Sequence, residues 1–457
     1  MGGRSPNHVP HPMSQAQQQD FTRLYPRLGR IYEQVLGEED ARVCKDIPES
    51  ACHHQPRNFF AYLLANLLTK IADELSSARL VLPWLLGSLG APAAFAGFLV
   101  PIREAGVLLP QLLVAAYVRR MARRKAVWLL GGALSLVSLL LMALGTAAMD
   151  GIQAGWTVLG LVVLFSLSRG LCSVSAKDVL GKTVSKTKRG ALMGYAAGIS
   201  GVVTLLIGLY LEFTAGQTQG STVFITFLVI AAALWALALA SFAFIAEEAG
   251  ATEGGGNALT VALKSLALLG EDRDFRRYVV SRGLLLSVAL APPFYVLLAQ
   301  QYSGSAAGLG LLIVASGLAG SLSAPVWGRI SDRSSRTVMV IAATGAGLLG
   351  VATWALDWSG SIWLNTVWLH GGLFFSIALF HGGARLGRKV YLVDMASSKD
   401  RSAYVAVSNT VIGVIMLLGG SIGIIADLVS FGAVLGLLGL LSLLAAAYIA
   451  RLRDVSG

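Results

Sequence analysis

The sequence predicts an all-α integral membrane protein, with twelve transmembrane helices arranged as two pseudo-symmetric six-helix bundles. Three observations predict it. The first is composition: of 457 residues, 55% are hydrophobic and only 13% are charged, too little charge to cover a water-soluble chain of this size. The second is a recurrence of apolar runs long enough to cross the hydrocarbon. Such runs need about 20 residues and must be helical, because lipid offers no partner for free backbone N–H and C=O groups. The third is the placement of Lys and Arg, which gather in every second loop. They stand as Arg119, Arg120, Arg123, Arg124 and Lys125; as Lys177, Lys182, Lys186, Lys188 and Arg189; as Arg329, Arg333 and Arg336; and as Arg385, Arg388, Lys389, Lys399 and Arg401. The intervening loops MDGIQAG and DWSGS contain neither. By the positive-inside rule both termini are expected in the cytoplasm, with the protein in an inner (plasma) membrane. The net charge of +11 is then a topology signal and an attraction to anionic membrane lipids, with no nucleic-acid partner expected.

In chain order, residues 1–57 come first. They are polar and lack an early apolar core, so they read as a cytoplasmic extension and not as a secretory signal. Within them Leu24, Leu28, Ile31 and Val35 recur at helical spacing beside Arg23, Arg27 and Arg30, which fits a basic amphipathic helix on the membrane surface or a weakly ordered tail. Cys44, Cys52, His53 and His54 lie close together there without a standard zinc spacing, so no metal is expected, and cytoplasmic thiols are expected to be reduced. The spans fall at about 59–87, 92–118, 126–148, 156–175, 191–213 and 222–245, then 276–299, 306–327, 337–356, 361–384, 403–426 and 431–450. Polar residues in the first and tenth weaken their hydropathy signal. The domain boundaries are therefore 58–245 for the first bundle, 246–275 for a cytoplasmic linker, 276–450 for the second bundle and 451–457 for a tail. In the linker, Asn257 is a plausible N-cap for a short helix carrying Leu259, Leu263, Leu266 and Leu269.

The halves echo each other at an offset of about 213 residues. NFFAY before the first span answers DFRRY before the seventh, AAYVRRMARR answers GRISDRSSR, and KDVLGKTVSKTKR answers KVYLVDMASSKDR. The stretch GRISDRSSR, with Gly328, Asp332, Arg333 and Arg336, resembles the Gly-x-x-x-Asp-Arg-x-Gly-Arg loop of the major facilitator superfamily (MFS). That loop lies between spans two and three and again between eight and nine. Ser335 replaces the second glycine, and the first-half copy is degenerate, with Ala115 and Arg119 at the glycine and aspartate positions. The glycine-rich fifth span, GALMGYAAGISGVV, lacks the glycine-proline core of drug antiporters. The resemblance implies the MFS fold, secondary active transport and a gating role for these loops. Asp332 is then expected near Lys188 and Arg189 at the start of the fifth span. Arg119, with Arg120 beside it, is expected near Asp400 at the start of the eleventh, as a latch of reversed polarity. The other readings are a solvated turn, and a charge that only sets topology.

Ionisable residues inside spans are costly and by default face a polar pathway. Lys70, Asp73, Glu74 and Arg79 fall within the first span, and Lys70, Asp73 and Glu74 share one helix face. Arg103 and Glu104 of the second span are expected at similar depth. The group is a substrate or proton pathway, or a self-neutralising ion-pair network. Arg169 in the fourth span resembles an arginine of proton-coupled family members, and its counterpart His381 in the tenth is a proton or substrate group or a packing residue. His370 and Arg282 stand similarly, and Asn66, Gln111 and Asn409 offer neutral hydrogen bonds. No phosphate-binding glycine loop and no nucleophile–base or metal-ligand constellation is present, so neither an enzyme nor a cofactor is expected. The expected function is secondary transport of a small solute by a monomer, coupled to protons. The surplus of basic groups favours an anionic or zwitterionic solute. The alternative is a non-transporting membrane scaffold or sensor acting through its extension.

Overall fold

A computed structural model describes residues 26–36, 49–109, 117–118, 120–214, 222–250, 266–303, 306–396 and 401–455, with 11–12, 43–44 and 47. Among the described residues the regular structure is helical apart from one two-residue antiparallel pairing, His11–Pro12 with Val43–Cys44. Ten helices among the described residues are long and apolar enough to cross a membrane. The other two of the twelve spans are the first pair. The first span is split into Gln55–Leu75 and Val81–Ser88, and the second is described only as Ala93–Leu108.

The split has a local cause. The Ser76 hydroxyl and N–H both bond to the Ala72 carbonyl, ending the helix, and the chain restarts with Leu82 N–H on the Ser77 carbonyl. Serine back-bonding of this kind competes with the helical ladder. The seventh span breaks at the equivalent place, near Ala291, where Pro292 and Pro293 open its last segment, Pro292–Ser303. Proline fits a first helical turn because its missing N–H would be unsatisfied there anyway.

Within the first bundle the third span (Lys125–Ala148) packs on the fourth (Gly151–Thr183) and sixth (Thr222–Ala243), and the sixth on the first. The second bundle repeats this. Its ninth span (Ser335–Trp358) packs on the tenth (Val367–Met395) and twelfth (Phe431–Ile449), and the tenth on the eighth (Ala306–Ser331). The bundles meet through two symmetric pairs: the fifth span (Lys186–Thr214) against the eighth, and the second against the eleventh (Arg401–Gly419 and Gly423–Leu428).

They meet at one end and diverge at the other. At the closed end the Asp427 carboxylate accepts the N–H groups of Ala93 and Ala94 at 2.7 and 2.8 Å. Gln300 donates to the Trp84 carbonyl at 3.0 Å. A Cβ on Gly97 would lie 2.6 Å from the Gly420 carbonyl oxygen, so only glycine allows that approach. At the other end, side chains built on Gly194, Gly198, Gly320 or Gly328 would meet nothing within 4 Å.

The ends of each bundle carry their own caps at the open side. Glu247, just after the sixth span, accepts the N–H groups of Arg124 and Lys125 at 2.9 and 2.6 Å and pairs with Lys182 at 3.1 Å. Asp454, just after the twelfth, pairs with Arg336 at 3.2 Å and accepts from Ser334 at 2.9 Å. A carboxylate thus offsets the positive end of the third span, and another sits at the start of the ninth.

Helix Pro26–Leu36 of the extension is placed on the first span. Its Tyr32 is fully buried against Phe59 and Phe60, while Leu28, Ile31 and Val35 are exposed. Cys52 is disulfide-bonded, which corrects the expectation that the thiols of the extension are reduced, whereas Cys172 is free and buried. Asn257 and its leucine stripe lie outside the described residues, as does Leu24.

Candidate functional site

Between the bundles, at the level of the two breaks, lie two adjoining cavities of about 680 and 550 Å³ that share Glu74, Ser77, Arg79 and Arg385 in their walls. The break in the first span places the charges here. With the helix interrupted at 76–80, Glu74 and Arg79 flank the gap and face the space between the bundles.

Three carboxylates and several cations meet at this level. Asp73 pairs with Arg169 at 2.5 Å and with Arg103 at 3.5 Å, joining the first, fourth and second spans. Both arginines are seated on aromatic faces, Arg169 at 4.9 Å from the Trp235 ring and Arg103 at 5.0 Å from Phe165, which adds cation–π attraction to their positioning. Trp235 belongs in turn to a packed cluster with Trp128, which stacks on Phe242 at 3.8 Å. Glu104 binds Arg79 at 2.6 Å. Glu74 lines both cavities, is exposed to them, and forms no ion pair among the described residues.

The remaining expected residues divide. His381 is nearly buried and lines the larger cavity. Lys70 is half-buried on the same span as Glu74, whose charge it influences, but it lines neither cavity. Arg282 is buried inside the second bundle, donating to the Ser408 hydroxyl at 2.7 Å and to the Asn409 side chain at 2.8 Å. It ties the seventh span to the eleventh. His370 donates from Nε2 to the Leu364 carbonyl at 2.7 Å and serves as a packing residue. Asn66 donates to the Met193 sulfur at 3.1 Å. Gln111 lies outside the described residues.

Three residues that sequence reasoning assigned to a basic loop belong to the site. The tenth span continues as helix to Met395, so Arg385 and Lys389 follow His381 at intervals of four residues and share its face. All three line the larger cavity, and Arg388 acts electrostatically on Glu104 together with Arg385. That four-residue spacing was the available signal.

In this conformation the intact gating loop stands apart from its expected partners. Asp332 is exposed and pairs with neither Lys188 nor Arg189. Lys188 is buried instead, 5.2 Å from the Tyr32 ring and 3.4 Å from the Gln55 side-chain oxygen. Arg189 donates to the Val184 and Gly181 carbonyls. Gly328 lines the larger cavity, where an added Cβ would meet nothing within 4 Å, and Arg336 binds within its own bundle, while Arg120 and Arg333 are exposed. The physical reason is the divergence of the bundles at this end. Arg119 and Asp400 lie outside the described residues.

Residues 278–456 match the family model of the Major Facilitator Superfamily. The model of that family thus matches the second bundle. The fold of both bundles is similar to that of solved MFS transporters. A crystal structure of the nucleoside transporter NupG superposes with a TM-score of 0.67 at 12% identity, over 86% of this chain and 100% of that one. A POT family transporter in complex with a thioalcohol-conjugated peptide gives 0.64 at 13%, over 89% and 98%. The xylose transporter XylE from E. coli, in a partially occluded inward-open conformation, gives 0.60 at 14%, over 86% and 99%. No curated protein sequence matches.

Proposed function

We propose that this protein is a secondary active transporter that carries a small anionic or zwitterionic solute by alternating access and draws on a proton gradient. The observation that carries the reading is the charged cavity between two bundles that touch at one end only. Residues 58–245 and 276–450 are the two moving units and 246–275 the linker. The positive-inside pattern puts the open end, with both termini, in the cytoplasm, so the conformation is inward-open. The superposed nucleoside, peptide and xylose transporters share this architecture and support the class without selecting a solute.

Proton coupling falls to Glu74 in this reading. Asp73 is held between two arginines and organises the first bundle, whereas Glu74 meets the cavity without an ion pair. Reconstitution into liposomes with an imposed pH gradient tests the proposal. Gradient-driven uptake of a member of a metabolite panel supports it, and exchange of no solute under any gradient contradicts it.

One observation favours the second reading, a sensor or scaffold. The Tyr195 hydroxyl donates to the Val35 carbonyl at 3.3 Å, and Lys188 lies under Tyr32, so the extension touches the start of the fifth span, one of the helices that join the bundles. If that contact only signals, Tyr32→Ala alters partner response and the liposomes stay inactive.

A further inference from the structure

The fourth and tenth spans carry matching stripes. Arg169, Ser173 and Lys177 recur at four-residue intervals on one, and His381, Arg385 and Lys389 on the other, separated throughout by the offset of the repeat. The two stripes differ in how their charge is met. Arg169 is neutralised by Asp73 at 2.5 Å. No carboxylate among the described residues pairs with Arg385, Arg388 or Lys389, and of the charges acting on Lys389 only Glu104 is opposite in sign, against Arg385, Arg388 and Lys177. The one acid of the cavity wall left without an ion pair is Glu74.

Arg385 and Lys389 are exposed to the open cavity, and like charges brought together there repel each other, with Glu74 and Glu104 answering only part of the positive charge. An anion between the walls would remove the repulsion. Arg385 lines both cavities, and Arg79 faces it from the first bundle, with donors remaining beyond its bond to Glu104. A single negative charge leaves the Arg385, Arg388 and Lys389 group uncompensated even with Glu74 ionised. Cavities of this size hold a metabolite of modest mass, and Ser77, Ser316 and Ser323 offer hydroxyls for its uncharged part.

We propose that the cavity binds a small organic dianion, a dicarboxylate or a phosphate monoester, clamped between Arg79 of the first bundle and Arg385 and Lys389 of the second. This deepens the transporter reading by naming the solute class, and depends on that reading only for the translocation step after binding.

The test uses the full-length protein in nanodiscs and isothermal titration with succinate and glucose 6-phosphate, against acetate, glucose and lysine. At least one dianion binds ten times more tightly than every control. Charge-assisted hydrogen bonds imply that Arg385→Gln weakens that binding roughly 10–100-fold, with Arg385→Lys recovering part of the loss. Lys389→Gln provides a second variant, and an unchanged thermal midpoint shows that each is folded. Preference for one dianion over the other assigns the carboxylate or phosphate chemistry. Binding of glucose or lysine as tight as that of the dianions, binding of neither dianion, or unchanged affinity in both folded glutamine variants overturns the proposal. Counterflow in liposomes separates the two readings. Dianion binding without exchange leaves this site standing and removes the transporter reading, whereas exchange of neutral solutes without dianion binding does the reverse.

Discussion

Asp73 and Glu74 are adjacent in sequence and differ in surroundings. Asp73 anchors Arg103 and Arg169 across three helices, and Glu74 faces the space between bundles. Removing the charge of Asp73 leaves two partly buried arginines without their counter-ion, a change that costs several kcal/mol when such a pair is broken. Asp73→Asn is therefore expected to lower gradient-driven uptake and solute counterflow alike. Glu74→Gln should abolish the response to the pH gradient while sparing counterflow, because only net coupling needs a group that changes protonation. Parallel transport assays on both variants check this, and equal loss of both activities in Glu74→Gln would assign that residue to solute binding. The sequence made the pair conspicuous, since charges inside an apolar span always stand out. It did not separate their roles, because a difference of one residue on a helix becomes a difference of environment only when the neighbouring helices are placed. Arg385 and Lys389 were missed for a related reason: the apolar pattern fades near 384, and the helix continues because the cavity, not lipid, receives its charged face.

The helices themselves were legible to within a few residues wherever apolar length alone defined them, as in the third, sixth, ninth and twelfth spans. The breaks in the first and seventh were not, because serine back-bonding at Ser76 and a proline pair at Pro292 leave hydropathy unchanged. Nor were the caps, which join segments far apart in the chain. Glu247 closes the start of the third span and meets Lys182 from the fourth, with its carboxylate 1% exposed. Glu247→Ala leaves Lys182 and two N–H groups of a helix start unmatched, and is expected to destabilise the protein by about 3–5 kcal/mol. Glu247→Gln, which keeps one acceptor oxygen for a helix-start N–H and loses the charge and the second acceptor, should recover part of that. Thermal unfolding in detergent distinguishes them, and a midpoint unchanged in the alanine variant would refute the capping role.

At the scale of the molecule, alternating access requires two bundles that exchange one closed end for the other. The degenerate and intact loop motifs pointed to such a device at the open end, but in this conformation Asp332 of the intact motif pairs with neither Lys188 nor Arg189, and the contacts that hold the bundles are at the opposite end. Asp427, which no motif marked, ties the eleventh span to the start of the second through two charge-assisted hydrogen bonds. Each is worth about 1.5–3 kcal/mol, and tenfold in a two-state equilibrium corresponds to about 1.4 kcal/mol. Asp427→Ala should therefore move a large share of molecules to the other conformer. The direct measurement is pulsed electron–electron resonance in nanodiscs on two spin-label pairs. One pair, Ile152→Cys with Trp358→Cys, reports the closed end, where both positions are exposed. The other, Arg123→Cys with Thr337→Cys, reports the open end. Alternating access predicts that Asp427→Ala lengthens the first distance and shortens the second in the same population. Distances that stay fixed, or that lengthen together at both ends, would contradict it.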